Sequence, residues 1–418
     1  MKTDLAPEYR DTPDGIAADG LIRKCVHCGF CNATCPTYQL LGNELDGPRG
    51  RIYLIKQVLE GAEVTRATQQ HLDRCLTCRN CETTCPSGVE YGRLAEIGRR
   101  LVDDKVERPA GERLQRWVLK EGLTGPLFGP AVALGRVLRP VLPAALADKL
   151  SSHPAAPVAA DGRSTAAATA TGAAGRRVLV LEGCVQPALA PNINVATRRV
   201  LAACGIEAVA VRSAGCCGAI RLHLNDHDGA LEHMRRNIDA WWPAIEAGSV
   251  EAILVNASGC AVTVKDYGKA LAGDPAYAAK ALRVAELARD LSEVITDLVP
   301  ALQPRLRAGR GGRLVFHPPC TLQHGQRITG RVEPALAALG FEVRTASDEA
   351  HLCCGSAGTY SVLQPELSRQ LRDRKLERLT AGQPDCIVSA NIGCIQHLQS
   401  GTGVPVRHWV EVLADALA

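Results

Sequence analysis

The sequence has little of several features that would point to familiar functions. Only 4% of its 418 residues are aromatic, and its formal net charge of +4 comes without any dense tract of lysine and arginine. Nucleic-acid-binding proteins usually carry such a tract with aromatic residues interleaved, so we expect no nucleic-acid partner. The sequence also lacks the run of about 20 apolar residues that a membrane-spanning helix requires.

Targeting and nucleotide-binding signals are missing as well. The opening stretch, MKTDLAPEYRDTPDG, lacks the basic segment and apolar core of a secretory signal. No Walker A motif occurs, and no G-x-G-x-x-G motif follows a predicted strand. We therefore expect a cytoplasmic protein without a nucleotide or flavin site of its own. Residues 126–150 predict a pair of short packed helices or, alternatively, an amphipathic segment that touches a membrane or a membrane partner. The second alternative corresponds to a peripheral position at the inner face of the cytoplasmic membrane.

Cysteine, by contrast, is abundant, and the chain contains 18 of them. Thiols stay reduced in the cytoplasm, so clustered cysteines there indicate metal ligands or redox chemistry rather than structural disulfides. Residues 151–175 are rich in alanine, glycine, serine and threonine, a composition that predicts a flexible linker. This linker separates an N-terminal part with eight cysteines from a C-terminal part with ten.

The N-terminal part contains two copies of one cysteine motif. The copies CVHCGFCNATCP and CLTCRNCETTCP both follow the spacing C-x2-C-x2-C-x3-C-P. In ferredoxins with this spacing, the first three cysteines bind one [4Fe–4S] cluster and the fourth binds the other. The spacing therefore predicts two clusters with four cysteine ligands each. The first has Cys25, Cys28, Cys31 and Cys85, and the second has Cys35, Cys75, Cys78 and Cys81.

Zinc is the alternative for these motifs, because structural zinc sites also use C-x2-C pairs. Zinc explains neither the third cysteine nor the fourth cysteine before proline, and both recur in the second copy. Iron–sulfur clusters are therefore the favoured interpretation. Between the motifs, apolar residues at helical spacing predict a helix with one buried face. These residues are Ile52, Ile55, Val58 and Leu59.

The C-terminal part predicts two copies of one α/β unit. Segments typical of strands alternate with helical segments, an order that indicates parallel sheets. Each predicted strand ends at a cysteine. Ligands of open α/β sheets bind beyond the carboxyl ends of the strands, so we expect the thiols of each copy to meet at one rim. The first copy contributes Cys184, Cys216, Cys217 and Cys260, and the second contributes Cys320, Cys353, Cys354 and Cys394.

Each copy contains a doublet of adjacent cysteines followed by glycine, with single cysteines at matched distances on either side. A vicinal disulfide and small buried hydrophobic residues are two alternatives for the doublets. Neither predicts the same doublet twice at matched spacing, so we favour a metal or redox site. Soft thiolates bind iron–sulfur clusters, zinc or copper(I), and the clusters predicted upstream favour iron.

Together these motifs resemble the family of iron–sulfur subunits of bacterial glycolate oxidase. The resemblance rests on the double N-terminal motif and on GCVQP, SAGCCGAIRLH, NASGC, LCCGSAGTYS and NIGC. It extends to proteins with fused ferredoxin and cysteine-rich CCG domains, including iron–sulfur subunits of heterodisulfide reductase and anaerobic glycerol-3-phosphate dehydrogenase. The implied fold is α+β, with an N-terminal α-helical ferredoxin-like domain that has two [4Fe–4S] sites. Two tandem α/β CCG repeats with parallel sheets follow it.

The resemblance also implies a function. In this family two FAD-binding subunits oxidise a 2-hydroxy acid, and the iron–sulfur subunit passes the electrons towards a respiratory-chain acceptor such as quinone. This chain is then an oxidoreductase subunit with no catalytic residue of its own. It holds two [4Fe–4S] clusters, with a further iron–sulfur cluster or other metal in the CCG repeats. The alternatives are a lactate or glycerol-3-phosphate dehydrogenase subunit, a heterodisulfide-reductase-like enzyme acting at the CCG clusters, and a zinc-organised scaffold.

The repeats depart from the CCG pattern at one position. Where related repeats hold non-cubane clusters, each closes on C-x-x-C, whereas these close on CAVT and CIQH. One cysteine is therefore missing from each repeat, and His397 is a candidate substitute in the second. This departure makes disulfide cleavage an unfavoured activity.

We expect five segments along the chain. They are a two-cluster domain at 1–110, a helical connector at 111–150, the linker at 151–175, and CCG repeats at 176–300 and 301–418.

Some residues near the motifs remain outside the predicted ligand sets. His317, in FHPPC, fits a position around a cluster and a position in the core equally well. Cys204 and Cys386 fall outside the repeated pattern and are expected to be structural. Three histidines after the first doublet lack a ligand spacing and are expected at the surface or in the core. They are His223, His227 and His233.

Overall fold

The computed structural model describes residues 1–138, 175–307 and 312–418 of the chain. The predicted linker at 151–175 therefore lies outside the described residues, except for its last residue. The later part of the predicted connector at 111–150 also lies outside them. Among the described helices, none is both long and apolar enough to cross a membrane.

The N-terminal region consists of short helices around the two cysteine loops. Proline stands in the first turn of four of the first five helices, where its fixed φ suits helix initiation. The helices are α1 (Pro7–Arg10), α2 (Pro13–Lys24), α3 (Phe30–Ala33), α4 (Pro36–Leu41), α5 (Pro48–Leu59), α6 (Arg66–Asp73), α7 (Asn80–Thr84), α8 (Tyr91–Lys105), α9 (Ala110–Thr124) and α10 (Phe128–Leu138). A 3-10 turn, Glu44–Asp46, precedes α5.

Helix α5 packs in the core of this domain with the face that its apolar spacing predicts. All four residues of that face are buried, and the helix packs against α8. Gly98 of α8 permits the close approach, because a Cβ at this position would lie 2.5 Å from Ile55 Cγ1. The prediction of one buried face on this helix is therefore confirmed.

A buried carboxylate, Asp46, ties α5 and α6 together. Its side chain is only 1% exposed and lies 3.0 Å from His71 Nδ1, 3.0 Å from Arg74 Nη1 and 3.6 Å from Arg51 Nη2. Arg51 is also 1% exposed, and its Nε donates to the carbonyl oxygen of His71 at 2.7 Å. These ion pairs hold the segments before the two cysteine loops in one arrangement.

The described part of the C-terminal region, residues 175–307 and 312–418, contains eight short strands. They are β1 (Arg176–Leu181), β2 (Ile206–Val209), β3 (Ala252–Val255), β4 (Ala288–Asp290), β5 (Arg313–His317), β6 (Glu342–Thr345), β7 (Cys386–Ser389) and β8 (Val406–His408). They form two four-stranded sheets of order β2-β1-β3-β4 and β6-β5-β7-β8, and every pairing is parallel. The predicted pair of α/β repeats with parallel sheets is confirmed.

Helices connect and cover these strands. In the first repeat they are α11 (Gln186–Leu189), α12 (Pro191–Ala203), α13 (Ala219–His223), α14 (His227–Glu246), α15 (Ser258–Lys265), α16 (Tyr267–Ala270), α17 (Ala278–Leu287) and α18 (Leu291–Leu302). In the second they are α19 (Val332–Ala338), α20 (Tyr360–Leu363), α21 (Pro365–Thr380), α22 (Ile392–Gln399) and α23 (Trp409–Asp415). A 3-10 helix, Gln303–Arg305, and a π-helix, Thr321–Gly325, complete the region.

The strands end earlier than the sequence predicts. Strand β1 ends at Leu181, so Cys184 lies in the loop that follows, while Cys260 and Cys394 lie in the first turns of α15 and α22. Neighbouring side chains of a strand point to opposite faces of the sheet. Two adjacent cysteines within a strand could not both face one site, so the backbone leaves the extended conformation before the doublets. The short edge strands β4 and β8 were not predicted.

The two repeats pack against each other through one continuous core. A single buried cluster contains Val178 and Leu254 of the first sheet together with Phe316 and Ile387 of the second. Helix α12 of the first repeat packs against α23 of the second. His408 Nε2 also lies 2.9 Å from the carbonyl oxygen of Asn256. The repeats therefore form one body, with equivalent loops facing each other.

Replacement of Asp46 with asparagine should destabilise the N-terminal domain. The substitution leaves the buried Arg51 guanidinium without its counter-charge, and breaking a buried ion pair costs about 3–5 kcal/mol. We expect a loss of about that size in anaerobic urea unfolding monitored by circular dichroism.

Glu286→Gln is the matched control, since its pair with Arg283 is more than half exposed on both sides. Exposed pairs contribute about 0–1 kcal/mol. Equal unfolding midpoints for the two variants would show that the Asp46 network does not stabilise the domain.

Candidate metal centre

The first of four cysteine sets surrounds a small pocket at the N-terminal loops. Cys25, Cys28, Cys31 and Cys85, here called the first ferredoxin set, all line this pocket, as does Cys81. Burial, followed by the neighbouring thiols of Cys25, Cys85 and Cys28, raises the pKa of Cys31 to about 11. Several thiols therefore lie close enough to influence one another's protonation.

The second ferredoxin set consists of Cys35, Cys75, Cys78 and Cys81, which line a neighbouring pocket. Burial alone raises the pKa of Cys75, but the guanidinium groups of Arg51 and Arg99 outweigh burial, so the pKa is lowered. Both arginines are buried. This pocket therefore carries fixed positive charge beside its thiols.

Both loops use the same backbone conformation. His27 and Thr77, each two residues after the first cysteine of its motif, have positive φ, as do Gly29 and Arg79 two residues further on. Left-handed residues turn backbone N–H groups towards a common centre, an arrangement that favours anions. In the second loop, Thr77 N donates to Cys75 Sγ at 3.4 Å. The repeated conformation explains why one spacing serves both loops.

The fourth cysteine of each motif lies beside the first three of the other motif. Helices α3 and α7 bring this about by packing against each other. Thr34 Oγ1 lies 3.1 Å from Thr84 Oγ1, directly before the two fourth cysteines, Cys35 and Cys85. The geometry therefore matches the crossed grouping that the spacing predicts.

The first CCG set, comprising Cys184, Cys216, Cys217 and Cys260, forms a chain of interacting thiols. Hydrogen bonds from Cys184 and Cys217 lower the pKa of Cys216. The pKa of Cys217 is raised well above its usual value by its hydrogen bonds with Cys216 and Cys260 and by burial. Gly218 N also donates to Cys216 Sγ at 3.4 Å.

The second CCG set, comprising Cys320, Cys353, Cys354 and Cys394, repeats this chain. Cys320 Sγ lies 3.8 Å from Cys353 Sγ, and Gly355 N donates to Cys353 Sγ at 3.4 Å. The hydrogen bond of Cys354 with Cys353 lowers its pKa, but its hydrogen bond with Cys394 and its burial together outweigh this and raise the pKa well above the usual value. All four residues are buried.

Glycine after each doublet is required by the backbone. Gly218 and Gly355 have φ of 97° and 88°, which side chains rarely tolerate. At Gly355 a Cβ would also lie 2.5 Å from the carbonyl oxygen of Ser368. Cys353 and Cys354 are free thiols, as are the other cysteines of the chain, so the doublets do not form vicinal disulfides in this structure.

Both CCG sets line one cavity of about 640 Å³ between the repeats. Contacts between equivalent loops bring the sets together, because Ser258 N donates to the carbonyl oxygen of Ala390 at 3.0 Å. Gly259 N also donates to Asn391 Oδ1 at 3.4 Å. Cys78 of the second ferredoxin set reaches the same cavity.

The ferredoxin domain docks on this face of the CCG repeats through its second motif. Thr83 Oγ1 lies 2.9 Å from His324 Nδ1, and Thr77 Oγ1 lies 3.3 Å from His223 Nδ1. The thiol of Cys320 is close enough to Cys78 to raise its pKa, with burial as the larger cause. The second ferredoxin set and the second CCG set are therefore neighbours.

The cavity extends away from the cysteines into an apolar pocket. Helices α9 and α10 cover it from the N-terminal side, and helices of the first repeat cover it from the other side. The apolar lining includes Leu119, Leu123, Phe128, Val132, Leu189, Ile220, Leu231 and Met234.

The remaining candidates have different surroundings. Cys204 and Cys386 do not line the cavity or the two pockets. The second-repeat candidate His397 lines the cavity, but its Nε2 lies 3.0 Å from Ser368 Oγ. His233 Nε2 accepts a hydrogen bond from Arg221 Nε at 3.0 Å.

Sequence reasoning missed the buried cations beside the thiols. Arg51 and Arg99 adjoin the second ferredoxin set. Lys375, only 2% exposed, adjoins the second CCG set, and its Nζ donates to the carbonyl oxygen of Glu349 at 2.5 Å. Arginine and lysine are usually exposed, so residue type gave no sign that these three are buried. The only available signal was that each lies at helical spacing from buried apolar residues of its own helix.

The donor groups in all four sets fit a sulfur-ligated metal or cluster. Each set gathers four thiols, and soft thiolates bind iron–sulfur clusters and zinc. The buried cations near the second ferredoxin set and the second CCG set can balance the negative charge of bound thiolates. The arrangement is suited to electron transfer because neighbouring sets adjoin one another.

Comparisons with known proteins agree with this architecture. Residues 21–89 match the family described as a 4Fe-4S dicluster domain, and residues 178–265 and 314–399 match the cysteine-rich CCG domain. The chain is 27% identical over 231 residues to lactate utilization protein A of Geobacillus thermodenitrificans, covering 53% of this chain and 92% of that protein.

Two full-length relatives are more similar. The glycolate oxidase iron-sulfur subunit of Escherichia coli is 54% identical over 418 residues, covering 100% of this chain and 99% of the relative. The probable glycolate oxidase iron-sulfur subunit of Bacillus subtilis is 30% identical over 414 residues, covering 94% and 91%. These relatives confirm the family that the sequence motifs indicate. The chain belongs to the family of glycolate oxidase iron–sulfur subunits.

Proposed function

We propose that this chain is the electron-transfer subunit of a flavin-dependent glycolate dehydrogenase complex. The first and second ferredoxin sets each hold one [4Fe–4S] cluster, and the CCG sets hold further iron–sulfur clusters. Flavins accept two electrons from a hydroxy acid, whereas such clusters carry one electron at a time. Substrate oxidation belongs to two FAD-binding partner subunits, so this chain needs no substrate site.

The observation that carries the proposal is the spatial order of the four cysteine sets. Cys28 of the first ferredoxin set is exposed at the surface. The second ferredoxin set follows it, and Cys78 of that set reaches the cavity lined by both CCG sets. This order supports a path from a surface where electrons enter to the cavity between the CCG repeats where they leave.

The surface around Cys28 supports the entry point. Val26 and Phe30 flank this cysteine and are 68% and 62% exposed, and Tyr53 nearby is 45% exposed. Exposed apolar and aromatic side chains are common anchors of protein interfaces. We assign this patch, formed by Val26, Phe30 and Tyr53, to the contact with a flavoprotein subunit.

The apolar part of the cavity supports a quinone as the acceptor. Its size falls in the range of about 300–1,000 Å³ typical of small-molecule sites. Helices α9 and α10 line it and also carry exposed apolar residues on their outer sides, which supports a peripheral position at the inner face of the cytoplasmic membrane. These residues are Leu114, Trp117, Val118, Leu134, Val137 and Leu138, and Leu127 in the turn between the two helices is exposed as well.

A second hydroxy acid is a candidate substrate of the complex. The relative called lactate utilization protein A matches about half of this chain and supports lactate as the alternative donor. The choice between glycolate and lactate belongs to the flavoprotein subunits.

Glycolate should reduce this chain only when the flavoprotein subunits are present. The isolated chain lacks the FAD that we propose accepts the electrons of glycolate. Its visible iron–sulfur absorption should therefore not change on anaerobic addition of glycolate. In the complex, glycolate should bleach this absorption rapidly, as measured by stopped flow. Phe30→Asp should slow the bleaching by about tenfold or more, the effect of about 1.4 kcal/mol lost at an interface anchor.

Leu282→Asp is the control, because Leu282 is 56% exposed on the CCG region. Glycolate turnover by the isolated chain would refute the proposal. Equal bleaching rates for the two variants would place the flavoprotein contact elsewhere.

Cys353→Ser should remove iron from the second CCG set. Loss of one cluster corresponds to about four irons, against about eight irons for the two ferredoxin sets alone. Iron and acid-labile sulfide should be measured on anaerobically purified protein, with EPR after dithionite reduction. Cys386→Ser is the matched control, since Cys386 lines neither the cavity nor the pockets. If Cys353→Ser and Cys386→Ser contained the same amount of iron, the second CCG set would not be a cluster site.

Val132→Trp should block the acceptor pocket. Val132 is 5% exposed and lines the cavity, so an indole there fills space that a quinone needs. We expect quinone reduction by the complex to fall by about tenfold or more, equivalent to about 1.4 kcal/mol. Reduction of ferricyanide should be unchanged. Val137→Trp on the same helix is the control, since Val137 is 76% exposed. A parallel loss with both acceptors would contradict a quinone site here.

A further inference from the structure

A buried histidine faces the second CCG set, and its imidazole ring has no hydrogen-bond partner among the described residues. His317 is 0% exposed, and neither ring nitrogen has a partner among the described residues. One ligand atom from each of His317, Cys354 and Cys394 lies within 4.8 Å of the other two. Leaving both imidazole nitrogens unpaired in a protein interior is unfavourable, unless another group binds one of them.

The fold holds His317 in this position. It is the last residue of β5 and pairs in register with Ser389 of β7, whose Oγ donates to the His317 carbonyl oxygen at 2.9 Å. Two prolines, Pro318 and Pro319, then fix the backbone before Cys320. The imidazole and the first thiol of the set are therefore carried on one rigid segment.

The first repeat has no counterpart to this histidine. Leu181 is the last residue of β1 and stands three residues before Cys184, as His317 stands three residues before Cys320. Leu181 is 2% exposed and belongs to the core of the first repeat. The two sets thus share their four thiols, but the first has leucine where the second has His317.

His397, at the position of the missing cysteine, is a weaker candidate. Its Nε2 lies 3.0 Å from Ser368 Oγ and 3.2 Å from the Ser368 carbonyl oxygen. That nitrogen is therefore engaged with the backbone and side chain of α21. Neither ring nitrogen of His317, by contrast, makes a hydrogen bond to a described residue.

We infer that His317 is a ligand of the metal site in the second CCG set, which together with its four thiols gives five protein ligands. The inference rests on the proposed function only in taking the bound group to be an iron–sulfur cluster. Neutral imidazole bears no charge, unlike thiolate, and histidine ligands raise the reduction potentials of iron–sulfur centres. The second CCG set should therefore accept electrons more readily than the first, and it is the set beside Cys78.

Histidine ligation can be detected directly in the full-length protein. The chain should be labelled with 15N-histidine, reduced with dithionite and studied by pulsed EPR for a nitrogen strongly coupled to a cluster. We expect this coupling in the unmodified protein and its complete loss in His317→Leu, which installs the residue found in the first repeat. His397→Leu is the matched control and should retain the coupling.

His317→Cys tests the same role while keeping a ligand. This variant should retain iron in the second CCG set, lose the nitrogen coupling and show a lower reduction potential in an EPR-monitored titration. His317→Leu should lower the iron content. If His317 were only a buried core residue, leucine would leave iron and potentials unchanged, because it merely removes unsatisfied polar atoms.

The outcomes separate this inference from the proposed function. Coupling that survives in His317→Leu, coupling lost instead in His397→Leu, or no coupled nitrogen in the unmodified protein would each overturn histidine ligation. Zinc without labile sulfide at the second CCG set would overturn a cluster there. Because dithionite supplies the electrons, none of these results depends on glycolate or a flavoprotein. Failure of glycolate to reduce the complex would count against the proposed function alone.

Discussion

The structure depends on one electrostatic constraint, which is the gathering of thiols in buried pockets. Thiolates bind metal, yet burial raises the pKa of Cys78 and Cys81 and so opposes their formation. Nearby cations offset this effect, as the lowered pKa of Cys75 beside Arg51 and Arg99 illustrates. The ion pairs of Asp46 then hold one of those arginines. Folding and metal binding are therefore coupled, as is general where the ligands must lose protons.

Duplication solves the problem of positioning eight thiols around one cavity. Each repeat supplies the same chain of four thiols, a glycine with positive φ after the doublet, and a helix that holds the last cysteine in its first turn. Loop contacts between Ser258 and Ala390 then set the two copies face to face. The copies have nevertheless diverged, since His317 and Lys375 adjoin only the second set. Two sites of common origin can thus differ in charge and potential.

The order of the four cysteine sets gives the proposed electron path a direction through the molecule. Exposed residues near Cys28 suit contact with a protein donor, while the apolar cavity behind α9 and α10 suits a small lipophilic acceptor. The ferredoxin domain joins the two ends because its second motif docks on the CCG repeats through Thr77, Thr83 and Asn80. A separate domain free to move would lose the short step between Cys78 and Cys320. Rigid docking is therefore as necessary to the proposed path as the clusters themselves.

The sequence alone determined the parallel repeats and the buried face of α5, and it predicted the four cysteine sets and the crossed grouping of the two ferredoxin motifs. These follow from local spacing, because three cysteines within one short loop and apolar residues at helical periods need no distant information. It placed the strand ends too close to the cysteines and missed the edge strands, which are too short to carry a pattern. Only the tertiary structure decided that both CCG sets share a cavity, that Arg51, Arg99 and Lys375 lie beside thiols, and that His317 faces Cys354 and Cys394. Those facts depend on packing between segments far apart in the chain, and no local pattern encodes which charged or aromatic side chain a distant loop will meet.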